Sequence, residues 1–396
     1  MTSQYKKIIL KSGKEKSLER FHPWIFSGAI KQIVGHIEEG DIVEVFSNNG
    51  EYLATGHYQI GSIAVRIVSF EQIEIDFSFW KNKIEKALQL RKSLNLTDNS
   101  ETDVYRLIHG EGDGLPGLII DIYADCAVIQ AHSIGMWLSR ETFANILTEL
   151  YGEKLVAILD KSESTLPFKA QIEPKNAFLF GEKKQTIVSE YGSKFIVDIF
   201  EGQKTGFFVD QRENRKLLEK YCKNKKVLNT FCYTGGFSVA ALKGGAHTVH
   251  SVDSSQRATD VTTKNIELNP YPNTQSEQIT TDAFDYLNHL PDDYDVIVLD
   301  PPAFAKHTDV LDKAIKGYRN INRKAMEKIK SGGILFTFSC SQVVSKEEFR
   351  KAVFSAAILA NRNVRILHQL TQPEDHPINI YHLEGEYLKG LVLYIE

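Results

Sequence analysis

The sequence has few cysteines and no long apolar segment. Its 396 residues include four cysteines, and no two of them form a Cys-x-x-Cys pair. So few thiols in a chain of this length indicate a reducing compartment, and we expect a cytoplasmic protein without disulfides and without a metal site. No apolar segment approaches the ~20 residues that a membrane-spanning helix requires, so no membrane partner is expected.

The sequence also lacks an overall positive charge, since its formal net charge is −4. That value argues against nucleic-acid binding over the whole surface. Residues 1–31, however, contain seven lysines and arginines and two glutamates, and seven minus two leaves +5. A basic N-terminal module on an acidic protein can still bind phosphates, and a solvated surface is the alternative.

Residues 1–75 are predicted to form a small β-rich domain. Two short segments with alternating apolar residues, 41–46 and 63–68, are separated by turn-forming asparagines and glycines. The segment 20–26 combines cations with three aromatic rings, a mixture suited to base stacking and phosphate contact. The alternative is that its rings belong to the core of a small barrel. The candidate RNA-binding residues of this domain are Arg20, His22, Trp24 and Arg66.

Residues 76–190 are predicted to form a central mixed α/β domain. Their apolar residues alternate between the spacing of helices and that of strands. The glycine-rich segment 105–121 predicts a tight turn but no P-loop, because no Lys-Ser or Lys-Thr pair follows it. Residues 160–185 show no clear pattern, and residues 186–200 are predicted to form a hairpin that turns at 191–193. The predicted elements are helices at 77–94 and 136–150 and strands at 118–122, 126–131 and 155–159.

Residues 191–396 are predicted to form a third domain, in which strands and helices alternate regularly. Seven strands with intervening helices follow residue 225, and this pattern is typical of a Rossmann-like, doubly wound α/β sheet. The predicted strands cover residues 226–231, 247–252, 278–280, 296–299, 334–338, 364–369 and 391–395.

The segment Asp295–Lys306, DVIVLDPPAFAK, points most strongly to a ligand site. Its four apolar residues predict a buried parallel strand, and its two prolines must lie in the loop beyond that strand. Ligands of open α/β sheets bind at this edge. We therefore expect Asp300, Pro301 and the ring of Phe304 to hold a flat heterocycle. An ordinary strand end is the alternative.

Two acids and a glycine pair predict an adenosine-containing ligand beside that loop. Gly235 and Gly236 permit close backbone approach at the start of a helix. Asp253 and Asp282 follow the next two predicted strands, where carboxylates bind ribose hydroxyls and the adenine amino group. Each acid is alternatively a helix N-cap. The loop is not GxGxxG, which argues against a nicotinamide dehydrogenase.

Cys340 follows the strand after Asp300 and is the candidate nucleophile. A thiolate that adds to carbon 6 of a pyrimidine turns carbon 5 into an enamine carbon able to attack a methyl group. Asp300 can hydrogen-bond the ring edge as charge develops there. A buried cysteine without reactivity is the alternative. Cys232, in the glycine loop, is a weaker candidate.

Several of these segments together resemble a known family. KEKSLERFHPWIFSGAI, YRLIHGEGDGLPGL, GQKTGFFVDQREN, VLNTFCYTGGFSVAAL, VIVLDPPAFA and GILFTFSCS resemble the bacterial class I S-adenosylmethionine-dependent ribosomal RNA large subunit methyltransferase I family. The resemblance implies an N-terminal PUA pseudo-barrel, a central α/β domain and a Rossmann-like methyltransferase domain. It also implies methylation of carbon 5 of a cytosine in large-subunit ribosomal RNA.

The resemblance further implies residue roles. Cys340 would be the nucleophile, with Asp300 beside it. S-adenosylmethionine would be the cofactor and ribosomal RNA the partner, with Phe304 contacting the RNA. The implied cofactor-binding residues are Lys204, Thr205, Gly206, Phe231, Tyr233, Gly235, Gly236, Asp253, Asp282, Asp300 and Pro301.

Other functions and assemblies stay open at this point. An Asp-Pro-Pro-aromatic loop also suits methylation of a base nitrogen, which needs no cysteine. A non-catalytic RNA-binding assembly factor with the same fold is another alternative. A homodimer is kept as an alternative to a monomer.

Overall fold

The computed structural model describes residues 5–167, 173–305 and 307–396. Within these ranges the chain forms twenty strands and ten α-helices. It divides into two compact units. The first comprises residues 1–188, 197–207 and 374–385, and the second comprises residues 189–196, 208–373 and 386–396. The three-domain boundaries at 75/76 and 190/191 remain predictions.

The N-terminal part of the first unit is a six-stranded sheet with strand order β2-β6-β5-β4-β1-β3. β1 and β4 pair in parallel, and the other pairs are antiparallel. Val43 and Val45 are fully buried, as their alternation predicts. The elements are β1 (Lys6–Leu10), α1 (Lys16–Glu19), β2 (Trp24–Phe26), β3 (Ile30–Val34), β4 (Ile42–Phe46), β5 (Tyr52–Tyr58) and β6 (Ile63–Ser69).

A five-stranded sheet with order β11-β10-β9-β8-β7 follows in the same unit. The predicted helix 136–150 is in fact two helices that meet at Ser139. β7 and β11 were not predicted, because β7 leads into the glycine-rich turn and β11 has only four residues. The elements are α2 (Phe77–Ser93), β7 (Val104–His109), β8 (Leu118–Tyr123), β9 (Cys126–Ala131), α3 (Ile134–Leu138), α4 (Arg140–Tyr151), β10 (Ala157–Asp160) and β11 (Ala177–Phe180).

A hairpin of β12 (Gln185–Glu190) and β13 (Ser193–Asp198) forms a two-stranded sheet. Its turn residues Tyr191 and Gly192 have φ of +48° and +77°. Two consecutive positive φ values match a tight hairpin turn whose twist suits the flanking strands. The sequence predicted this turn at 191–193.

The second unit contains a seven-stranded sheet with order β16-β15-β14-β17-β18-β20-β19. All pairs are parallel except those of β20, which is antiparallel to both neighbours. The elements are α5 (Arg212–Leu218), β14 (Lys226–Thr230), α6 (Gly236–Lys243), β15 (Thr248–Asp253), α7 (Gln256–Glu267), β16 (Gln275–Thr280), α8 (Ala283–Asn288), β17 (Val296–Leu299), α9 (Leu311–Lys328), β18 (Gly333–Ser339), α10 (Lys346–Leu359), β19 (Val364–Leu370) and β20 (Lys389–Ile395).

The order of these strands places a site at the centre of the sheet. From β14 the chain moves outward through β15 and β16, then returns to β17 on the other side and continues to β18. Ligands of such sheets bind where this direction reverses, at the carboxyl ends of the strands. The four residues of β17 are at most 1% exposed. The predicted Rossmann-like fold is therefore confirmed.

No helix in the described ranges is long and apolar enough to cross a membrane.

A buried arginine ties the returning segment 374–385 into the first unit. The fully buried side chain of Arg91 donates two hydrogen bonds to the Asp113 carboxylate, at 2.5 and 2.8 Å. Its guanidinium also donates to the Arg106 carbonyl and the Asp375 carbonyl, both at 2.8 Å. The Asp375 carboxylate accepts from the Arg106 N–H at 2.9 Å.

Asp113→Ala should lower the free energy of unfolding by about 3–5 kcal/mol, because it leaves the buried Arg91 cation without its counter-ion. Urea unfolding followed by circular dichroism measures this change. Asp98→Ala is the matched control, since Asp98 pairs with Lys154 on the surface, where ion pairs contribute little. Equal effects of the two variants would contradict the role given to Asp113.

The stability of the first unit should also depend on His57. The ring of His57 is 3% exposed and stacks on Trp80 with centroids 5.6 Å apart. Burial, and to a lesser extent the nearby Arg66, lowers the pKa of His57 to about 4. Below pH 6.5 the unfolded chain therefore binds a proton that the folded chain does not.

We expect wild-type stability to fall between pH 6.5 and pH 4, by at most about 3 kcal/mol from this group. His57→Gln should flatten this pH dependence, as measured by urea unfolding at several pH values. His36→Gln, at a side chain that is 87% exposed, should leave the dependence unchanged. An identical pH dependence in His57→Gln and the wild type would show that His57 does not cause it.

Candidate functional site

The carboxyl ends of the parallel strands bring several predicted site residues to one edge of the sheet. The register pairs Thr230 of β14 with Leu299 of β17, and Leu299 with Thr337 of β18. The residues that follow these strands, and Asp253 at the end of the neighbouring β15, therefore lie along the same edge. They are Phe231, Asp253, Asp300, Pro301 and Cys340.

The Asp253 carboxylate holds the loop between β14 and α6. One oxygen accepts from the Tyr233 N–H at 2.9 Å, and the other accepts from the Ser255 N–H at 3.0 Å. Phe231 and Tyr233 both have positive φ, 55° and 48°. Such conformations in non-glycine residues cost energy and concentrate at functional sites.

Gly235 and Gly236 end this loop and begin α6. Gly235 has a φ of +81°, and a Cβ there would lie 2.6 Å from Cγ2 of Thr262. Only glycine fits this position. Gly235 therefore lets the loop pack closely against Thr262 of α7 at the start of α6.

Asp282 is the N-cap of α8, which was the alternative noted for it. Its Oδ1 accepts from the Phe284 N–H at 2.8 Å and from the Asp285 N–H at 3.2 Å. The ring of Phe284 lies edge-on to Phe231, with centroids 6.0 Å apart. The cap therefore places an aromatic ring beside the glycine loop.

Asp300 is oriented by a glutamine that sequence reasoning missed. Gln211 donates from Nε2 to Oδ1 of Asp300 at 3.0 Å. Asn214 donates in turn to Oε1 of Gln211 at 2.7 Å. The only signal in the sequence was that Gln211 lies in the recognised segment GQKTGFFVDQREN.

Phe304 is packed against α9. Its ring lies 4.6 Å from the ring of Tyr318, at an angle of 34°. A Cβ at Gly317 would approach Cδ2 of Phe304 to 3.0 Å. Gly317 therefore leaves the space in which the ring of Phe304 packs against α9. The contact of Phe304 with RNA remains a prediction.

Cys340 differs from the other three cysteines in its exposure. It is half-buried, whereas Cys126, Cys222 and Cys232 are buried. Its Sγ lies 3.9 Å from the carbonyl oxygen of Pro301. Burial, and to a lesser extent the Asp253 carboxylate, raises the pKa of Cys232 to about 12. This disfavours Cys232 as a thiolate nucleophile.

Lys389 of β20 places a buried cation against the turn that follows Cys340. It is 4% exposed, and its Nζ donates to the carbonyls of Ser341 and Val344 at 2.5 and 2.8 Å. Burial lowers the pKa of Lys389 to about 8, and the nearby Cys340 opposes this shift. The Ser341 hydroxyl donates to the Ala305 carbonyl at 2.5 Å, which ties this turn to the Asp300–Phe304 loop.

Lys204, Thr205 and Gly206 belong to the first unit. Thr205 is buried there, and its hydroxyl donates to Oδ2 of Asp121 at 2.7 Å and lies 2.8 Å from the Tyr123 hydroxyl. Its side chain therefore has structural partners. The predicted role of these residues in cofactor binding is not tested by this geometry.

The predicted RNA-binding residues of the N-terminal sheet have mixed environments. Arg20 is exposed. Trp24 donates from Nε1 to Glu111 at 2.8 Å, and its ring lies 4.2 Å from that of His382, which also lies 5.7 Å from His22. Arg66 is the cross-strand partner of Trp24, and it donates to Gln59 at 2.9 Å. Their role in RNA binding remains a prediction.

No cluster of three or more histidine, cysteine or acidic side chains suited to a metal ion occurs in the part of the chain that the structure describes.

Two domain families match the chain. A PUA-like domain matches residues 8–70, and an S-adenosylmethionine-dependent methyltransferase domain matches residues 162–373.

Two relatives that match nearly the whole chain carry the same name. The chain is 40% identical over 391 residues to a ribosomal RNA large subunit methyltransferase I of Shigella dysenteriae, covering 97% of both chains. It is 40% identical over 391 residues to a protein of the same name from Escherichia coli O139:H28, covering 97% of this chain and 98% of that one.

Solved structures share the fold. A chain from Streptococcus mutans, described as a candidate S-adenosylmethionine-dependent methyltransferase, has a TM-score of 0.81 and 23% identity, covering 98% of this chain and 99% of its own. A second methyltransferase structure, complexed with SAH, has a TM-score of 0.82 and 24% identity with the same coverage. The chain therefore belongs to the ribosomal RNA large subunit methyltransferase I family, and it is an S-adenosylmethionine-dependent methyltransferase with an N-terminal PUA-like domain.

Proposed function

We propose that this protein methylates carbon 5 of a cytosine in large-subunit ribosomal RNA. The observation that carries the proposal is the position of Cys340. It is half-buried and lies 3.9 Å from the loop of Asp300 and Pro301, at the edge where a methyltransferase sheet binds its ligands. Ribosomal RNA as the substrate is supported by the name that the relatives carry.

The residues of this edge fit S-adenosylmethionine, which supplies an electrophilic methyl group when bound. The Asp253 carboxylate already accepts two backbone N–H groups and has further lone pairs for ribose hydroxyls. The loop of Phe231, Tyr233, Gly235 and Gly236 leads into the start of α6, where backbone N–H groups can bind the polar part of a ligand. We also assign Lys204–Gly206, Asp282 and Pro301 to cofactor binding, as the family resemblance implies.

In the proposed reaction the Cys340 thiolate adds to carbon 6 of the cytosine, and the electrons of the 5,6 double bond move toward carbon 5. Carbon 5 would then attack the electrophilic methyl group that the bound cofactor supplies, and the electrons of the broken sulfur–methyl bond would stay on the cofactor's sulfur. A base takes the proton from carbon 5. The freed electrons restore the double bond as the thiolate leaves.

Two features of the chain would support these steps. Asp300, oriented by Gln211, would hydrogen-bond the ring edge. The buried Lys389 holds the turn that follows Cys340 through two carbonyl contacts. Because a paired base is not accessible to such a site, the target cytosine is unpaired or flipped out.

Cys340→Ser should lower the rate of 5-methylcytosine formation by more than about 10³-fold, because loss of a covalent nucleophile removes the reaction path. Mass spectrometry of nucleosides from methylated ribosomal RNA measures the product. Cys232→Ser is the matched control and should retain most activity. A near wild-type rate of 5-methylcytosine formation in Cys340→Ser would exclude Cys340 as the nucleophile. A methyl group on a base nitrogen, in the RNA methylated by the wild type, would favour the alternative reaction.

Asp253→Asn should weaken S-adenosylmethionine binding by about 10-fold or more, because a charge-assisted hydrogen bond to ribose is lost. Isothermal titration calorimetry of the full chain measures this affinity. Asp260→Asn, at an exposed position of α7 in the same unit, should bind as the wild type does. Absence of binding heat in the wild type would instead favour a non-catalytic assembly factor.

A further inference from the structure

Helix α9 concentrates positive charge on a protein that is acidic overall. It contains six lysines and arginines and two acids, and six minus two leaves +4. The whole chain carries −4, so the remainder carries −8. This helix begins at Leu311, and residues 305–310 connect it to the Asp300–Phe304 loop. Its charge is therefore a local feature beside the candidate site and not a property of the whole surface.

A groove of about 380 Å³ runs along the exposed side of this helix. The lining residues include three cations, one amide, one leucine of α10 and one glycine, and none is acidic. They are Lys316, Gly317, Arg319, Asn320, Arg323 and Leu359. A groove with this lining suits a polyanion better than an apolar or cationic ligand.

The three cations of the groove lie on one face of the helix, and few acidic side chains pair with them. Lys316, Arg319 and Arg323 are three and four residues apart, which places them on one face at intervals of about 5–6 Å. Lys316 and Arg319 are exposed, and within the described ranges neither forms a salt bridge. Of the three cations, Arg323 forms a salt bridge in the described part of the chain, with Glu327 at 3.5 Å. A row of cations at this spacing can contact successive phosphates of an extended strand.

The groove adjoins the loop that carries Asp300. Gly317 lines the groove, and the ring of Phe304 lies so close that a Cβ at this glycine would be 3.0 Å from it. The next residue of the helix, Tyr318, stacks with the same ring at 4.6 Å. A strand lying in the groove would therefore reach the loop of Asp300 and Pro301 within a short distance.

We propose that the groove from Lys316 to Arg323 binds the phosphodiester backbone of single-stranded RNA next to the target nucleotide. The inference rests on the proposed function, since it takes RNA as the substrate of this site. Phosphate contacts supply affinity and register without reading sequence. The groove thus positions the strand, while the choice of base is left to the loop and Cys340.

The test compares RNA binding by the full chain with that of the double variant Lys316→Gln/Arg319→Gln. The probe is a fluorescein-labelled 12-nucleotide polyuridylate, with affinity measured by anisotropy at several salt concentrations. Loss of two phosphate contacts should make the slope of log affinity against log salt shallower by about 1.4. Between 50 and 200 mM salt, the variant should therefore lose about sevenfold less affinity than the wild type.

The matched control is Lys223→Gln/Lys225→Gln, which removes two exposed lysines before β14, at the opposite edge of the sheet. Its slope should equal that of the wild type, and all three proteins should bind S-adenosylmethionine equally. Equal slopes for the groove variant and the wild type would overturn the proposal. So would loss of binding to polyglutamate without any change for RNA, which would assign the groove to an acidic protein segment.

The proposal for the groove and the proposal of cytosine methylation can be refuted independently of each other. A shallower slope in the groove variant, combined with no 5-methylcytosine formed by the wild type, would support the groove and refute cytosine methylation. Cysteine-dependent methylation with an unchanged slope would refute the groove alone.

Discussion

The parallel pairing of β17 with β18 is the constraint on which the candidate site depends. It aligns Leu299 with Thr337, so that Asp300 and Cys340 leave the sheet at the same edge. Both strands are buried on both faces, and a shift of one residue would exchange the side chains that pack on the two faces and move Asp300 relative to Cys340. The 3.9 Å between the Cys340 sulfur and the Pro301 carbonyl follows from this register.

The loop between β14 and α6 lies at the same edge, and so does the buried Lys389. Parallel pairing of β14 with β15 brings Asp253 beside Tyr233, whose N–H it binds. Antiparallel pairing of β18 with β20 sets Lys389 opposite Ser339, one residue before Cys340. Each of these side chains acts through backbone contacts of a neighbouring loop. The hydrophobic sheet therefore determines the site geometry more than any direct contact between the site residues.

Much of the fold could be predicted from the sequence, because strand and helix periodicities are local. The seven strands after residue 225 and the residues that end them are examples, and so is the hairpin turn at Tyr191 and Gly192. β7 and β11 were missed because a glycine-rich turn and a very short apolar segment carry little periodic signal. For Asp282 the sequence pattern allowed two roles, cofactor binding and the N-cap of a helix. The structure shows the N-cap of α8, and the role in cofactor binding remains a proposal.

The partners of the site residues could not be predicted, because they are distant in sequence. Gln211 and Asp300 are 89 residues apart, and Lys389 is 48 residues from Ser341. Thr205 lay in a recognised segment, yet its hydroxyl is directed at Asp121 within the first unit. No local pattern reports which way such a side chain points, since tertiary packing decides it.

The central claim is that Cys340 forms a bond to the cytosine during methyl transfer. Large-subunit ribosomal RNA transcribed with 5-fluorocytidine tests it directly, because fluorine at carbon 5 cannot be removed as a proton. Mass spectrometry of the digested protein, after reaction with S-adenosylmethionine, should find a denaturant-stable adduct of methylated 5-fluorocytosine on the peptide that contains Cys340. No adduct on this peptide, under conditions in which unsubstituted RNA acquires 5-methylcytosine, would contradict the account.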